Sequence, residues 1–181
     1  MVTGSGATYN VAVRGMTSSG TVTLTVLAGV QDLWGHASSS ASTSTGVSYV
    51  LSTRYDFGTA SSPVEAGYRQ VAAATTYSAS QGYGWQLTAA QKVYEYDWAN
   101  GSSLDRDCNY TQDAKFVADV ANGLYQVELR VGDQRYASQE MAISLEGVQV
   151  ESVSTGVGLV TRSYAVAVSD GQLTLDLKGL N

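Results

Sequence analysis

Apolar and polar residues alternate along most of this 181-residue chain. A two-residue period is the pattern of half-buried β-strands. The clearest run is residues 125–131, where tyrosine, valine and leucine alternate with glutamine, glutamate and arginine. Asn122-Gly123 is a turn signal before that run, so we predict a hairpin over residues 116–131. Further strands are predicted at residues 9–14, 21–26, 46–50, 55–57, 68–71, 82–85, 92–98, 142–151, 162–168 and 173–177.

The composition favours the same all-β class. Nineteen glycines against one proline, with many threonines, serines, valines and tyrosines, are typical of strands joined by tight turns. A hydrophobic content of 44% is enough for a packed core. The length suits one mid-sized domain or two small ones.

The charge excludes several classes of partner. The formal net charge is −6 and the Lys and Arg residues are scattered, which argues against nucleic acid and against an anionic membrane surface. No apolar run approaches the ~20 residues of a membrane-spanning helix.

Cys108 is the only cysteine, so no disulfide forms within the chain. Met1 is not followed by a signal-peptide pattern, and we expect the chain to be an internal piece of an exported protein.

Two anchoring stretches organise residues 52–181. The first begins with Tyr55-Asp56-Phe57-Gly58 and ends with Gly82-Tyr83-Gly84-Trp85, and the second, Leu104-Asp105-Arg106-Asp107, leads into residues 116–133. In this order they resemble the galactose-binding-like domain appended to β-agarases and to rhamnogalacturonan acetylesterase-type esterases. The resemblance implies a galactose-binding-like jelly-roll β-sandwich over residues 52–181. It also implies that the glycines of residues 82–84 allow close strand approach, while Trp85 fills the core.

Residues 1–51 predict a smaller unit. A strand pair joined by a turn at residues 15–20, an Asp32-to-Gly35 loop and a Ser/Thr-rich approach to a last strand resemble the C-terminal half of bacterial immunoglobulin-like repeats. We therefore predict a partial immunoglobulin-like β-sandwich, with a boundary near residues 51–53. Half a sandwich leaves an open edge. The unit either packs on the second domain, is completed by another chain, or is partly disordered at an arbitrary boundary.

The only histidine, His36, is a weak metal candidate. One histidine beside one aspartate, Asp32, falls short of the three or four ligands of a zinc site. We expect His36 to be a loop residue that hydrogen-bonds its own backbone, next to a Trp34 that plugs the half-sandwich. Some domains of the resembled family bind Ca²⁺, so a structural Ca²⁺ ion stays open, but no loop here has a defined ligand pattern. Metal ligands are left unassigned, and no other cofactor is expected.

Residues 92–98 carry the strongest ligand signal. Tyr94, Tyr96 and Trp98 share one strand face, and aromatic rings at this spacing suit successive pyranose rings. The alternative is that the three rings face the core and that Glu95 and Asp97 lie in solvent. Sequence alternation alone does not choose between the two faces.

Four further residues complete the candidate ligand site. Arg106 presents a planar donor fork suited to vicinal hydroxyls, with Asp107 beside it, and the alternative is that Arg106 pairs with Asp105, Asp107 or a carbonyl and pins two strands. Arg135 and Tyr136 lie in an exposed-looking loop and are candidate contacts, with an ordinary solvated loop as the alternative. The predicted ligand-binding residues are therefore Tyr94, Tyr96, Trp98, Arg106, Asp107, Arg135 and Tyr136.

These patterns predict a binding module that is not an enzyme. A serine hydrolase needs a nucleophile, a base and an acid, and a glycosidase needs two facing carboxylates; neither set is recognisable. We expect a non-catalytic carbohydrate-binding module of a secreted or cell-surface bacterial protein, bound to a plant or algal polysaccharide and joined to neighbouring domains. The alternative is a structural module of an adhesin or filament, self-assembling through open strand edges.

Overall fold

The computed structural model describes residues 1–5, 8–14, 16, 20–32, 34–49, 52–137 and 140–180. Every regular element in these ranges is a β-strand. The chain divides into two compact units, Met1–Ser52 and Thr53–Asn181. Both units are therefore all-β, as the alternating pattern predicts.

The first unit contains short strands in separate pairs. They are β1 (Val2–Ser5), β2 (Thr8–Val11), β3 (Gly20–Val22), β4 (Thr25–Val26), β5 (Ser42–Thr43) and β6 (Val47–Tyr49). β1 pairs with β2, β3 with β6 and β4 with β5, all antiparallel. The predicted pairing of residues 9–14 with 21–26 is wrong, because β2 takes β1 as its partner and β3 takes β6. Most of the predicted turn, residues 15 and 17–19, lies outside the described residues.

Apolar side chains in the first unit are largely exposed. Trp34 is 81% exposed, so it does not plug a core as predicted. The same is true of apolar residues on its strands, such as Val47 at 71% and Tyr9 at 60%. Nothing in these strand pairs distinguishes an immunoglobulin-like arrangement, and that assignment of residues 1–51 stays a prediction.

The second unit is a sandwich. Its strands are β7 (Tyr55–Phe57), β8 (Arg69–Val71), β9 (Tyr83–Gln86), β10 (Lys92–Asp97), β11 (Asp107–Asp119), β12 (Gly123–Asp133), β13 (Met141–Leu145), β14 (Val148–Val153), β15 (Gly158–Val168) and β16 (Gln172–Gly179). One sheet has the order β10-β11-β16-β13-β14, and β9 also pairs with β11. β12 pairs with β15 over their whole length, and β7 pairs with β8 in parallel.

The core lies between these sheets because each strand turns one apolar face inward. Phe116 on β11 pairs with Leu175 on β16 and with Trp85 on β9, and Ile143 on β13 pairs with Leu177 on β16. β12 and β15 add part-buried residues from the facing sheet, namely Val127, Leu129, Val131, Val160 and Tyr164, together with buried Val166. Burial of this apolar surface is the main stabilising term of the unit.

The predicted hairpin over residues 116–131 is wrong, although both strands exist. β11 pairs with β9, β10 and β16, while β12 pairs with β15 in the other sheet. Residues 120–122 cross between the sheets, where the Val120 N–H donates to the Gly171 carbonyl and the Asn122 amide donates to the Ser169 carbonyl. The Asn-Gly signal therefore marks a change of sheet. The predicted inward face of residues 125–131 is confirmed.

Gly84 explains how the glycine–aromatic strand fits. Its φ is +139°, and a Cβ at this position would lie 2.6 Å from the Tyr77 nitrogen and 2.8 Å from the Thr75 carbonyl oxygen. Only glycine allows so close an approach without strain. The approach seats Trp85, which is 2% exposed, in the core as predicted.

Candidate functional site

The outer face of the β10–β11 hairpin carries exposed aromatic rings. Tyr94 is 50% exposed, Tyr96 is 47% exposed and Tyr110, on β11, is 53% exposed. Trp98 follows β10 and is half-buried, and Tyr136 in the loop after β12 is 64% exposed. We call these five residues, Tyr94, Tyr96, Trp98, Tyr110 and Tyr136, the aromatic strip.

The rings face outward because the alternate residues of β10 have inward partners. The Glu95 carboxylate accepts the backbone N–H of Ala73 at 2.7 Å. The Asp97 carboxylate accepts two bonds from the Arg106 guanidinium, through Nε and Nη2, each 2.9 Å long. The sequence left open whether the rings or the acidic residues face solvent, and the structure places the acidic residues inward and the tyrosines outward.

The strip consists of two groups of touching rings. Tyr94 and Tyr110 are register partners across the hairpin and stack with centroids 5.3 Å apart and planes 20° apart. Trp98 contacts Tyr96 at 4.0 Å and Tyr136 at 5.4 Å, with tilted planes. Trp98 is therefore the centre of its group, and the tyrosines around it present the more open ring surface.

Two loops hold the Trp98 group together. The Gln134 amide donates to the Asp105 carbonyl at 2.8 Å, and Arg130 forms an ion pair with Asp105 at 3.1 Å. These contacts join the loop after β12 to the β10–β11 loop. The Asp133 carboxylate then accepts the backbone N–H groups of Arg135 and Tyr136 at 2.6 and 2.9 Å, which fixes the turn over Trp98.

Arg106 has a structural position. One edge of its guanidinium, formed by Nε and Nη2, is used on Asp97, and its carbonyl accepts the Trp98 N–H at 2.8 Å. The predicted structural alternative named Asp105, Asp107 or a carbonyl as partner, but the carboxylate partner is Asp97 on the neighbouring strand. The Arg106 guanidinium lowers the pKa of Asp97 below its usual value, and an N–H bond from Ala99 adds to the effect.

Asp107 lies apart from the strip. It is 8% exposed, and its Oδ2 atom is 3.4 Å from the Thr59 nitrogen under the loop after β7. Asp56 is buried nearby, and that burial raises the pKa of its carboxyl, with the Asp107 charge a smaller contribution. Asp56 also accepts the Glu65 N–H at 2.8 Å. The structure thus brings together Tyr94, Tyr96, Trp98, Arg135 and Tyr136 of the predicted set, but not Asp107.

Tyr110 is the site residue that sequence reasoning missed. Its position opposite Tyr94 follows from the register in which Asp97 pairs with Asp107. The Asn100-Gly101 turn signal, followed by alternating polar and apolar residues at 107–111, could have indicated this hairpin and hence the pair.

The strip is an open surface. The depression beside Tyr94, lined also by Gln91, Lys92 and Gln112, has a volume of about 200 Å³. Enclosed small-molecule sites usually measure roughly 300–1,000 Å³. The geometry therefore suits a ligand that lies across the face.

A wider hollow of about 500 Å³ lies in the first unit beside Asp32 and His36. There the Asp32 carboxylate binds the His36 ring nitrogen Nδ1 at 2.9 Å and accepts the backbone N–H groups of His36 and Trp34. The His36 contact is the largest cause of the lowered pKa of Asp32. His36 is thus a hydrogen-bonding loop residue, but its ring contacts the Asp32 carboxylate and not the backbone that was predicted.

The described ranges contain neither a metal-binding cluster nor a membrane-spanning helix. No group of three or more His, Cys, Asp or Glu side chains is arranged to hold a metal ion there. No helix in these ranges is long and apolar enough to cross a membrane.

The Cys108 thiol lies opposite Tyr96 in the β10–β11 register. Burial is the main cause that raises its pKa, to about 11, and the charges of Asp133 and Asp107 add to the effect.

Sequence comparison identifies the second unit. Residues 53–178 match the family described as "Beta-agarase/YXIM esterase-like, galactose-binding domain-like", and the chain belongs to this family. The resemblance to galactose-binding-like domains and the all-β galactose-binding-like fold class are confirmed for this unit.

Two individual proteins show similarity. The uncharacterized esterase YxiM of Bacillus subtilis (strain 168) is 31% identical over 128 residues, covering 67% of this chain and 31% of the esterase, so the chain spans less than a third of that relative. A solved structure of Bacteroides uniformis beta-glucuronidase 2, covalently bound to cyclophellitol-6-carboxylate aziridine, aligns with 13% identity and a TM-score of 0.38, covering 91% of this chain and 26% of that chain. A similarity this low supports no statement about fold or function.

Proposed function

We propose that the second unit is a non-catalytic carbohydrate-binding module of a secreted or cell-surface bacterial protein, and that it binds a plant or algal polysaccharide. The aromatic strip carries this proposal. Tyr94, Tyr96 and Tyr110 are each about half exposed on one open face, at positions where a single strand hairpin fixes their spacing. The family membership supports it, because the family's domain is of the galactose-binding type.

The chemistry of the strip fits sugar rings. The apolar C–H faces of pyranoses stack on aromatic faces, while tyrosine hydroxyls at the ring edges reach sugar hydroxyls. Tyr94 and Tyr96 lie two residues apart on β10, which places their backbones roughly 6.5–7 Å apart. Successive sugars of an extended chain can therefore contact successive rings.

The carboxylates near the strip support a non-catalytic role. Glycoside cleavage needs two carboxyl groups facing each other across the scissile bond at ~5–9.5 Å. Glu95 and Asp97 face the other side of β10, where Ala73 and Arg106 hold them. We infer that chemistry, where the parent protein has any, belongs to neighbouring domains. Binding would hold such a domain near its polysaccharide and raise its effective concentration.

The test compares two tryptophans by affinity electrophoresis in gels that contain galactans or pectins. Trp98→Ala should lose retention, because it removes the ring on which Tyr96 and Tyr136 pack. Trp34→Ala is the matched control, since Trp34 is an exposed tryptophan of the first unit, and it should leave retention unchanged. Thermal melting of both variants establishes that they are folded. Full retention by a folded Trp98→Ala variant would rule out the strip as the binding face.

A second candidate function concerns residues 1–51. Within the described part of this unit, the strands form three separate pairs with unpaired edges, and Val47 and Trp34 are exposed. Open edges with apolar side chains favour strand pairing with another chain. Light scattering after size exclusion tests this: assembly predicts an oligomer whose mass rises with concentration, whereas a monomer with a cooperative melt would oppose it.

A further inference from the structure

Arg135 places a positive charge on the aromatic strip. Its guanidinium carbon lies 4.7 Å from the centroid of the Trp98 ring, in cation–π contact. Among the described residues no carboxylate forms an ion pair with it. Its guanidinium N–H groups donate no hydrogen bond to another side chain or carbonyl in the part of the chain that the structure describes, so they can act as a donor fork.

The other charges around Trp98 are already engaged. Arg106 pairs with Asp97, and Arg130 pairs with Asp105. Asp133 accepts two backbone N–H bonds, including the one from Arg135 itself. Arg135 is therefore the cation at this end whose charge the described side chains leave unneutralised.

A second cation lies at the other end of the strip. Lys92 is exposed at the start of β10 and borders the depression beside Tyr94. It forms no ion pair within the described ranges. It does lie opposite Asp113 in the β10–β11 register, and the Asp113 carboxylate borders the same depression. Lys92 and Trp98 are six residues apart, about 20 Å along an extended strand. An acidic side chain thus accompanies Lys92 at this end, so Arg135 is the cation through which the strip can attract an anion, on a chain whose net charge is −6.

We propose that the ligand of the strip is an acidic polysaccharide, and that Arg135 binds one of its anionic groups beside the sugar stacked at Trp98. This inference rests on the proposed carbohydrate-binding function and specifies its ligand class. The planar guanidinium fork matches a carboxylate bidentately and also binds sulfate, so the shared chemistry is a regularly spaced oxyanion on the sugar chain. A neutral polysaccharide would use the rings alone and gain nothing from Arg135.

The experiment measures binding of the full chain to four probes by titration calorimetry. The probes are polygalacturonate, its methyl-esterified form, a sulfated galactan and neutral agarose-type galactan. The wild type should bind an anionic chain about tenfold more tightly than its neutral counterpart at low salt. A hydrogen bond between Arg135 and an anionic group of the ligand is expected to contribute about this factor to the affinity. The preference should weaken toward 0.15 M salt, where the screening length is about 8 Å.

Arg135→Gln should abolish the preference for the anionic chain while binding to neutral galactan persists. Arg54→Gln is the matched control, because Arg54 also lies over a ring, that of Tyr68, beside β7 and β8. It should retain the preference. The comparison of polygalacturonate with the sulfated galactan tells whether carboxylate or sulfate is preferred, and a preference for either supports the proposal.

Three outcomes would overturn the proposal. Equal affinity for charged and neutral chains would reject the acidic ligand and leave the carbohydrate-binding function intact. An anionic preference that survives in a folded Arg135→Gln variant would reject the role of Arg135. Absence of binding to all four probes would instead reject the proposed function, and this inference with it.

Discussion

Two clusters of aromatic rings each include one residue of the long strand β11, and one cluster is buried whereas the other is exposed. The buried cluster joins Phe116 of β11 to Tyr55, Phe57 and Trp85, with centroids 5.0–5.5 Å from the Phe116 ring. The exposed strip has centroid separations of 4.0–5.4 Å, and Tyr110 of β11 belongs to it. Ring spacing alone therefore does not separate a core from a binding face. The difference lies in what covers the remaining ring surfaces.

The covering determines the energetic role of each cluster. In the core, Phe116 is 4% exposed, and residues from several strands pack around it. On the strip, Tyr94 is 50% exposed and its main ring contact is the single stack with Tyr110. Buried area contributes to the free energy of unfolding, whereas open ring area is available to a ligand.

The largest predicted effect is the loss of the central core ring. Phe116→Ala removes the ring that touches three others and leaves a cavity, so we expect the free energy of unfolding to fall by about 3–5 kcal/mol. Urea denaturation followed by tryptophan fluorescence measures this change.

Tyr94→Ala, on the exposed strip, is the substitution to compare with Phe116→Ala in the core. An exposed substitution of this kind should change the free energy of unfolding by no more than about 0.5 kcal/mol. A loss as large as that of Phe116→Ala would mean that the strip is part of the core, and the distinction between the two clusters would fail.

A smaller, pH-dependent change in fold stability is predicted for loss of the ion pair between Arg106 and Asp97. Arg106 lowers the pKa of Asp97, so this ion pair stabilises the fold above the usual aspartate value of 3.8, and the stabilisation is lost as pH falls through the lower folded-state pKa. Arg106→Gln should therefore reduce the melting temperature most near neutral pH. The difference in melting temperature between this variant and the wild type should become smaller below about pH 4.

Lys178→Gln controls for the loss of one positive charge, because Lys178 forms no ion pair within the described ranges. The melting temperature of Lys178→Gln should differ little from that of the wild type, and the difference should be nearly independent of pH. A melting-temperature difference for Arg106→Gln that stays constant from neutral to acid pH would contradict the role assigned to the ion pair between Arg106 and Asp97.

The predictability of the site follows from the range of the contacts involved. The shared face of Tyr94 and Tyr96 is predictable because the strand period is local. The direction of that face is not, because it depends on Ala73 and Arg106, which hold the alternate carboxylates from 22 and 9 residues away. The contact of Arg135 and Tyr136 with Trp98 likewise requires two loops that are distant in sequence to meet.

The fold shows the same limit. The inward faces of the strand at residues 125–131 and the burial of Trp85 follow from periodicity and from the family resemblance. The sheet to which each strand belongs does not follow, because residues 120–122 could close a hairpin as readily as cross between sheets. The interaction with Gly171 and Ser169 decides it.

The thirteen-residue strand β11 has a consequence for engineering and for divergence. Its second half, including Ala114, Phe116 and Ala118, is fixed by core packing, whereas the outward residues of its first half, such as Tyr110, meet few constraints from the fold. Variation can therefore accumulate, or be introduced as a library, on the first half and on β10 while the second half preserves the scaffold. One strand thus combines a packed half that the core constrains with an exposed half that tolerates substitution.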